Sequence, residues 1–342
     1  MMSRRTFLRA ALGGAALRGL AGCAGAPAAG SSAEGGATAA APSADLEVTG
    51  ETLIQDVIDH PLFAGFGRLL FPVTFSASTA GMTLADLPEC LPWYSEIRVE
   101  TTVDVVSELL ARRAEGQVVF YDIYSEEERA ADPSLADTGL FRFAAEGLAE
   151  GERAPFAVWS AGGGFAYVAS MHDSFPHALA LSRAGLNGFA VQYRPDAQLA
   201  CQDLARAVSF VFEHADELGV DTEGYALGGG SAGARMAAYV GGYGPATFGG
   251  SDVPQPVAVI MQYTGHRDLS GADPATYACV GTSDGIASWR TMQSRLEALS
   301  ASGVATEFHA YEGLRHGFGL GVGTVAEGWI DDAMAFWQEA RA

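Results

Sequence analysis

Leu227 to Tyr239 reads LGGGSAGARMAAY. Within it, Gly229-Gly230-Ser231-Ala232-Gly233 fits G-x-S-x-G, the pattern of a sharp strand-to-helix turn that lifts a serine Oγ above the end of a sheet. Small neighbours are needed there because the turn brings strand and helix backbones together, and a larger Cβ would clash. Glycine is abundant, 43 of 342 residues, so the string carries weight only in the right context. A serine at a helix start can also be a plain N-cap. A second match, Gly281-Thr282-Ser283-Asp284-Gly285, competes with the first.

The surrounding chain supplies the context. From residue 154 onward, short apolar runs alternate with helical patterns. Residues 154–160, 187–194, 224–229, 256–263, 276–281 and 305–311 read as strands. Residues 174–185, 200–219, 232–240, 287–303 and 325–341 read as helices, each ending near a glycine or turn. Alternation of this length implies an α/β fold, a mainly parallel sheet with helices on both faces. Residues 117–124 and 139–146 are expected as earlier strands of the same sheet. In such sheets, ligands bind beyond the carboxyl ends of the strands, which makes the loops starting near 161, 230, 264, 282 and 312 the functional edge.

That edge sorts the candidates. Ser231 follows the YALGG strand and precedes a helix that opens on small residues. Asp284 follows the TYACVG strand and His316 follows ATEFHAY, so an acid and a histidine come after the serine in the order that a nucleophile, its base and an orienting acid take on this kind of turn. Ser283 shares one loop with Asp284 and leaves no strand before a later acid. Asp268 and Asp273 are the nearest alternative acids. An oxyanion needs unobstructed backbone N–H groups, and SAGGGF (160–165), after the first strong strand, offers them. His172 in SMHDSFPHA and His266 in YTGHRDL fall near the same edge and are possible pocket residues.

These motifs resemble the α/β-hydrolase fold, and within it esterases of the hormone-sensitive-lipase-like and bacterial carbohydrate-esterase-like group. The resemblance covers about residues 154–342. It implies a serine carboxylester hydrolase, with Ser231 as nucleophile, His316 as base and Asp284 as the orienting acid. Oxyanion donors would be the N–H groups of Gly163, Gly164 and Ala232. Ala161 stands where many members carry histidine. The implied substrate is a short-acyl or carbohydrate ester, with no metal and no organic cofactor. A peptidase or lipase on the same fold, or a non-catalytic binding lipoprotein, are the alternative readings, since fold does not fix function.

Composition removes other classes. The formal net charge is −21 and all 20 basic residues are arginine, which excludes lysine-based chemistry and makes nucleic acid an unfit partner. MMSRRTFLRAALGGAALRGLAGC (1–23) resembles a twin-arginine export signal ending in a lipobox, with Cys23 as the lipidated residue. The expected location is the outer face of the bacterial cytoplasmic membrane. Four of the arginines lie in this stretch, so the rest of the chain is more acidic still and only the lipid would hold it at a membrane. Residues 24–50, rich in alanine, glycine, serine and proline, read as a flexible linker. The domain proper is 51–342. Within it, 51–115 carries helical stretches at 52–63 and 102–116 and has no place in the sheet, so it is expected as a cap-like extension over the carboxyl edge. Cys90, Cys201 and Cys279 make no metal spacing, and their pairing and the oligomeric state stay open.

Overall fold

The computed structural model describes residues 46–72 and 79–342. The expected export signal with Cys23, and residues 24–45 of the linker, lie outside these. Eight strands form one sheet: β1 (Phe120–Tyr121), β2 (Gly139–Phe143), β3 (Ala154–Ser160), β4 (Asn187–Gln192), β5 (Val220–Gly230), β6 (Ala258–Gln262), β7 (Ala275–Gly281) and β8 (Thr306–Tyr311), in the order β1-β2-β4-β3-β5-β6-β7-β8. From β4 across to β8 every pairing is parallel. At the other edge, β2 joins β4 and β1 antiparallel.

Strands β3, β4 and β6 are buried on both faces along nearly their whole length. That is why they read as continuous apolar runs and not as alternations. The longer helices are α1 (Val99–Ala114), α2 (Phe175–Arg183), α3 (Ala197–Glu213), α4 (Ala232–Tyr243), α5 (Trp289–Ala301) and α6 (Trp329–Arg341). Helices α2 and α6 touch each other, α3 and α4 touch each other, and α5 lies over β7 and β8. Helix α3 begins three residues before the expected 200 and α6 four residues after the expected 325. Asp196 caps α3 by accepting from the N–H groups of Gln198 and Leu199, and Pro176 sits in the first turn of α2, where its missing N–H costs nothing.

Several strand boundaries differ from expectation, and β2 and β4 end at Phe143 and Gln192, short of the expected 146 and 194. The 117–124 run shrinks to the two residues of β1, because the Ile123 carbonyl accepts from Arg206 Nε and the Tyr124 hydroxyl donates to Asp203. At the Ile123 carbonyl, the Arg206 side chain stands where a strand partner would. β6 begins at Ala258, past Pro256, which has no N–H to give a ladder. β5 reaches back to Val220, with a register shift against β3 between Pro155 and Ala157.

The 51–115 segment meets the rest of the domain in several places. Helix α1 buries Val105, Val106 and Leu109 and lies along α2, where the Arg183 guanidinium bonds both oxygens of Asp104. Arg112, nearly buried, is satisfied by Glu108, Glu146, Ser182 and the Ala144 carbonyl. Besides α2, this helix touches the short Ser170–Asp173 helix. The carboxyl edge is reached by Leu69, whose carbonyl accepts from the side chain of Gln192 at the end of β4, and by the irregular stretch around Trp93–Ser95, described below. Cys90, Cys201 and Cys279 are free thiols. Among the described residues, no helix is long and apolar enough to cross a membrane.

Candidate active site

Ser231 sits between the last residue of β5 and the first of α4, at φ 53° and ψ −111°. A positive φ in a non-glycine residue costs on the order of 1–3 kcal/mol and persists only where the surroundings enforce it. Here they do. The Ser231 N–H donates to the Gln262 carbonyl at 3.0 Å, and the Ser231 carbonyl accepts from Arg235 N–H. A Cβ at Gly229 would come within 2.5 Å of the Ser160 carbonyl oxygen, and one at Gly233 within 1.9 Å. The two outer glycines of the motif are therefore required by the close approach of the β3 end to the turn.

Two later loops bring their side chains to this serine. His316 Nε2 lies 3.0 Å from Ser231 Oγ, and His316 Nδ1 lies 2.7 Å from Asp284 Oδ2. The other Asp284 oxygen accepts the main-chain N–H groups of Ile286 and Ala287, each at 2.7 Å. A carboxylate only accepts, so in the neutral imidazole the proton belongs on Nδ1 and the lone pair on Nε2 faces the serine hydroxyl. The His316 backbone is held as well: its carbonyl accepts from both the N–H and the hydroxyl of Ser95.

The glycine loop after β3 forms the neighbouring wall. Gly163 and Gly164 have φ values of 125° and 63°, and a Cβ at Gly163 would lie 2.1 Å from the Tyr167 carbonyl oxygen. The N–H groups of Gly163, Gly164 and Ala232 donate to no acceptor among the described residues. For Ala232 this follows from its place in the first turn of α4, where N–H groups have no helical partner. The Ala161 carbonyl, at the position where a histidine is common in the resembling esterases, accepts from the Tyr193 hydroxyl at 2.6 Å. The loop is thus tied down from beneath through its main chain.

The two histidines expected as pocket residues do not join the Asp284–His316–Ser231 chain. His172 is buried behind the His316 loop, with Nε2 2.9 Å from the Gly317 carbonyl. Burial pushes its pKa down to about 4, so it stays neutral and donates that bond. His266 is buried edge-on against the Tyr239 ring, and burial together with Arg295 and Arg235 holds it well below the usual histidine range.

Three residues at the site went unread in the sequence. Asp173 is fully buried and its carboxylate accepts from the Tyr263 hydroxyl, the Tyr94 hydroxyl at 3.0 Å and the Gly162 N–H at 2.6 Å. Tyr263 ends the β6 run on the functional edge at φ 33°, with its ring 5.0 Å from that of His316. Tyr94 comes from CLPWYSEI, a stretch without periodicity that gives no signal. Its neighbour Trp93 presses on the glycine loop: a Cβ at Gly164 would lie 2.9 Å from the indole. Among the described residues, no cluster of three or more histidine, cysteine or acidic side chains could hold a metal ion.

The BD-FAE family model matches residues 148–273. That span holds the glycine loop, Asp173 and Ser231 and ends before Asp284 and His316. Among solved structures the chain is similar to Thermogutta terrifontis esterase 2 phosphoramylated by tabun, at 21% identity over 59% of this chain and 89% of that one, with a TM-score of 0.52. The propionate-bound form of the same esterase matches at 21% identity over the same shares of the two chains, with a TM-score of 0.50. It is also similar to the acetyl ester-xyloside bifunctional hydrolase of Caldicellulosiruptor lactoaceticus, at 20% identity over 64% of this chain and 95% of that one, with a TM-score of 0.55. A search of curated proteins finds no match. The chain has the α/β-hydrolase fold. Ser231 stands on the strand-to-helix turn after β5 of that fold, and Asp284 and His316 stand on the loops after β7 and β8.

Proposed function

We propose that the protein is a serine carboxylester hydrolase that cleaves short-acyl esters of small molecules or carbohydrates. The observation that carries this reading is the hydrogen-bonded chain from Asp284 through His316 to Ser231, on a serine held at positive φ beside N–H groups that have no acceptor. The esterase titles of the structural neighbours support the same reaction class.

In this mechanism Ser231 Oγ attacks the ester carbonyl while its proton passes to His316 Nε2. Asp284 fixes the imidazole tautomer and stabilises the imidazolium that forms. The tetrahedral oxyanion accepts from the N–H groups of Gly163, Gly164 and Ala232, whose direction is set before the reaction by the loop and the helix start. Collapse of the intermediate expels the alcohol, which takes the proton from His316. Water then repeats the sequence on the acyl-enzyme and frees the acid.

The test is a serine-directed fluorophosphonate together with p-nitrophenyl acetate. The wild type is expected to label once and to turn over the ester. A protein that does neither contradicts the reading. Trp93 and Tyr94 crowd the glycine loop, so short acyl groups are expected to fit best. Acetyl, butyryl, octanoyl and palmitoyl esters compared below their micelle concentrations would show it. A higher kcat/KM on palmitoyl than on acetyl would overturn the short-acyl assignment.

The same proposal places the enzyme outside the cell, anchored through lipid on Cys23. Its support is the sequence of residues 1–23 together with the acidity of the remainder. Cys23→Ser should move the protein from the membrane fraction to the soluble one, and Arg4→Lys with Arg5→Lys should block export. Continued membrane association of Cys23→Ser would contradict the lipid anchor.

A further inference from the structure

Asp173 has no part in the mechanism just described, yet it lies at the centre of the site. Its three donors come from three separate segments: Tyr94 from the N-terminal extension, Gly162 from the glycine loop and Tyr263 from the end of β6. It also touches the turn itself, since a Cβ at Gly230 would lie 2.4 Å from Asp173 Oδ1. We propose that Asp173 is a positioning residue whose buried carboxylate locks the glycine loop, the Tyr263 ring and the serine turn into one arrangement, and that activity depends on this carboxylate being ionised. The inference rests on the hydrolase reading above.

The argument runs through the donors. Gly162 spends its N–H on Asp173, while Gly163 and Gly164, next in sequence, keep theirs free. The direction of the free pair therefore follows from the anchor before it. Tyr263 transmits the same anchor to the histidine, because its ring packs on His316 while its hydroxyl is held by Asp173. All three donors bond an ionised carboxylate better than a protonated one, which must turn one oxygen into a donor and set it against a donor already present.

Such a carboxylate is costly to bury, and its partners are neutral. Burial raises the Asp173 pKa to about 6, against the opposing pull of the Tyr263, Gly162 and Tyr94 bonds and of nearby His316. The titratable groups facing it are Tyr94, Tyr167, Tyr193, Tyr263 and His316. The four tyrosines are themselves pushed upward, largely by burial. They remain protonated donors throughout the neutral range, so the carboxylate's change near pH 6 adds to that of the His316 base in the acid limb and is isolated by the Asp173→Asn comparison.

The experiment measures kcat and KM of the full chain on p-nitrophenyl acetate across the acid limb, for wild type, Asp173→Asn, Tyr263→Phe and Tyr94→Phe. Asp173→Asn is expected to lower kcat at least tenfold with KM within threefold, and the slope of its acid limb should fall by one proton. Tyr263→Phe removes a donor that favours ionisation, so its acid limb should move to higher pH, a direction that loss of packing alone does not produce. Thermal melts report folding. If Asp173→Asn does not fold, the two tyrosine variants decide. An active wild type with an unchanged profile in Asp173→Asn, or with an unmoved or downward-shifted limb in Tyr263→Phe, would overturn this inference alone. A wild type that neither labels with fluorophosphonate nor turns over ester would sink the hydrolase reading and this inference with it.

Discussion

Two carboxylates, Asp284 and Asp173, approach Ser231 from different parts of the chain, and their surroundings are nearly matched in number and unlike in kind. Both side chains are fully shielded from solvent and each accepts three hydrogen bonds. Asp284 takes two main-chain N–H groups from its own loop and the imidazole of His316. Asp173 takes two phenols and one N–H, from residues 79, 11 and 90 positions away. The first arrangement is local, with donors fixed by a tight turn next to the acid. The second exists only when three distant segments have come together. A local anchor orients one side chain, whereas a distributed anchor holds a whole wall of the site.

Ser231→Ala removes the centre that both carboxylates serve, and should cut kcat by about 10⁵–10⁶ while leaving the thermal melt close to wild type. Turnover that survived at more than a hundredth of wild type would remove the serine from the mechanism. Asp284→Asn should lower kcat by roughly 10³–10⁴ by disturbing the imidazole tautomer, well beyond the loss expected for Asp173→Asn. Equal losses from the two asparagine variants would erase the distinction between the local and the distributed anchor.

A change that adds one carbon tests the geometry they share. Gly233→Ala places a Cβ where the Ser160 carbonyl already stands. It should destabilise the fold by about 1–3 kcal/mol, the range for overpacking, which is a few degrees in melting temperature for a domain of this size. An unchanged melt would mean that the turn relaxes more easily than its contacts imply.

The smallest effect separates the two acids by pH. The folded-state pKa of Asp173 is raised, so between pH 4 and 6 the folded protein binds more protons than the unfolded chain, and its stability falls as pH rises. The neutral Asp173→Asn variant lacks this term. Its stability relative to wild type should therefore improve from pH 4 to pH 7, by at most about 3 kcal/mol. This is opposite to the effect on kcat, so stability and activity would pull apart at one residue. Denaturant unfolding of the two proteins at both pH values checks the sign, and a difference that stays constant or moves toward wild type would contradict it.

What could be read in advance follows the same division. Strands β3, β4, β6 and β7 were legible because a sheet covered on both faces requires continuous apolar runs, and β3 and β7 match their runs to within one residue. Ser231, Asp284 and His316 were legible as candidates because each sits at a fixed place, the residue or loop just past a strand end. Asp173 was not. It lies in a four-residue helix, Ser170–Asp173, beside His172, which drew attention for its imidazole although its ring faces a carbonyl behind the site. Tyr94 had no periodic surroundings at all. The apolar stripe of α1 finds its partners on α2 and on the short Ser170–Asp173 helix. Donors that meet only through tertiary contact leave no spacing in the chain to read.

The central claim is that Ser231, activated through His316, is the residue that becomes covalently bonded to the substrate's acyl carbon. Its most direct test is peptide mapping by mass spectrometry after reaction with a fluorophosphonate, on wild type, Ser231→Ala and His316→Ala. The account predicts one adduct, on the peptide containing Ser231, absent in Ser231→Ala and formed far more slowly in His316→Ala. An adduct on Ser283 or Ser160, or labelling that persists unchanged in Ser231→Ala, would contradict it.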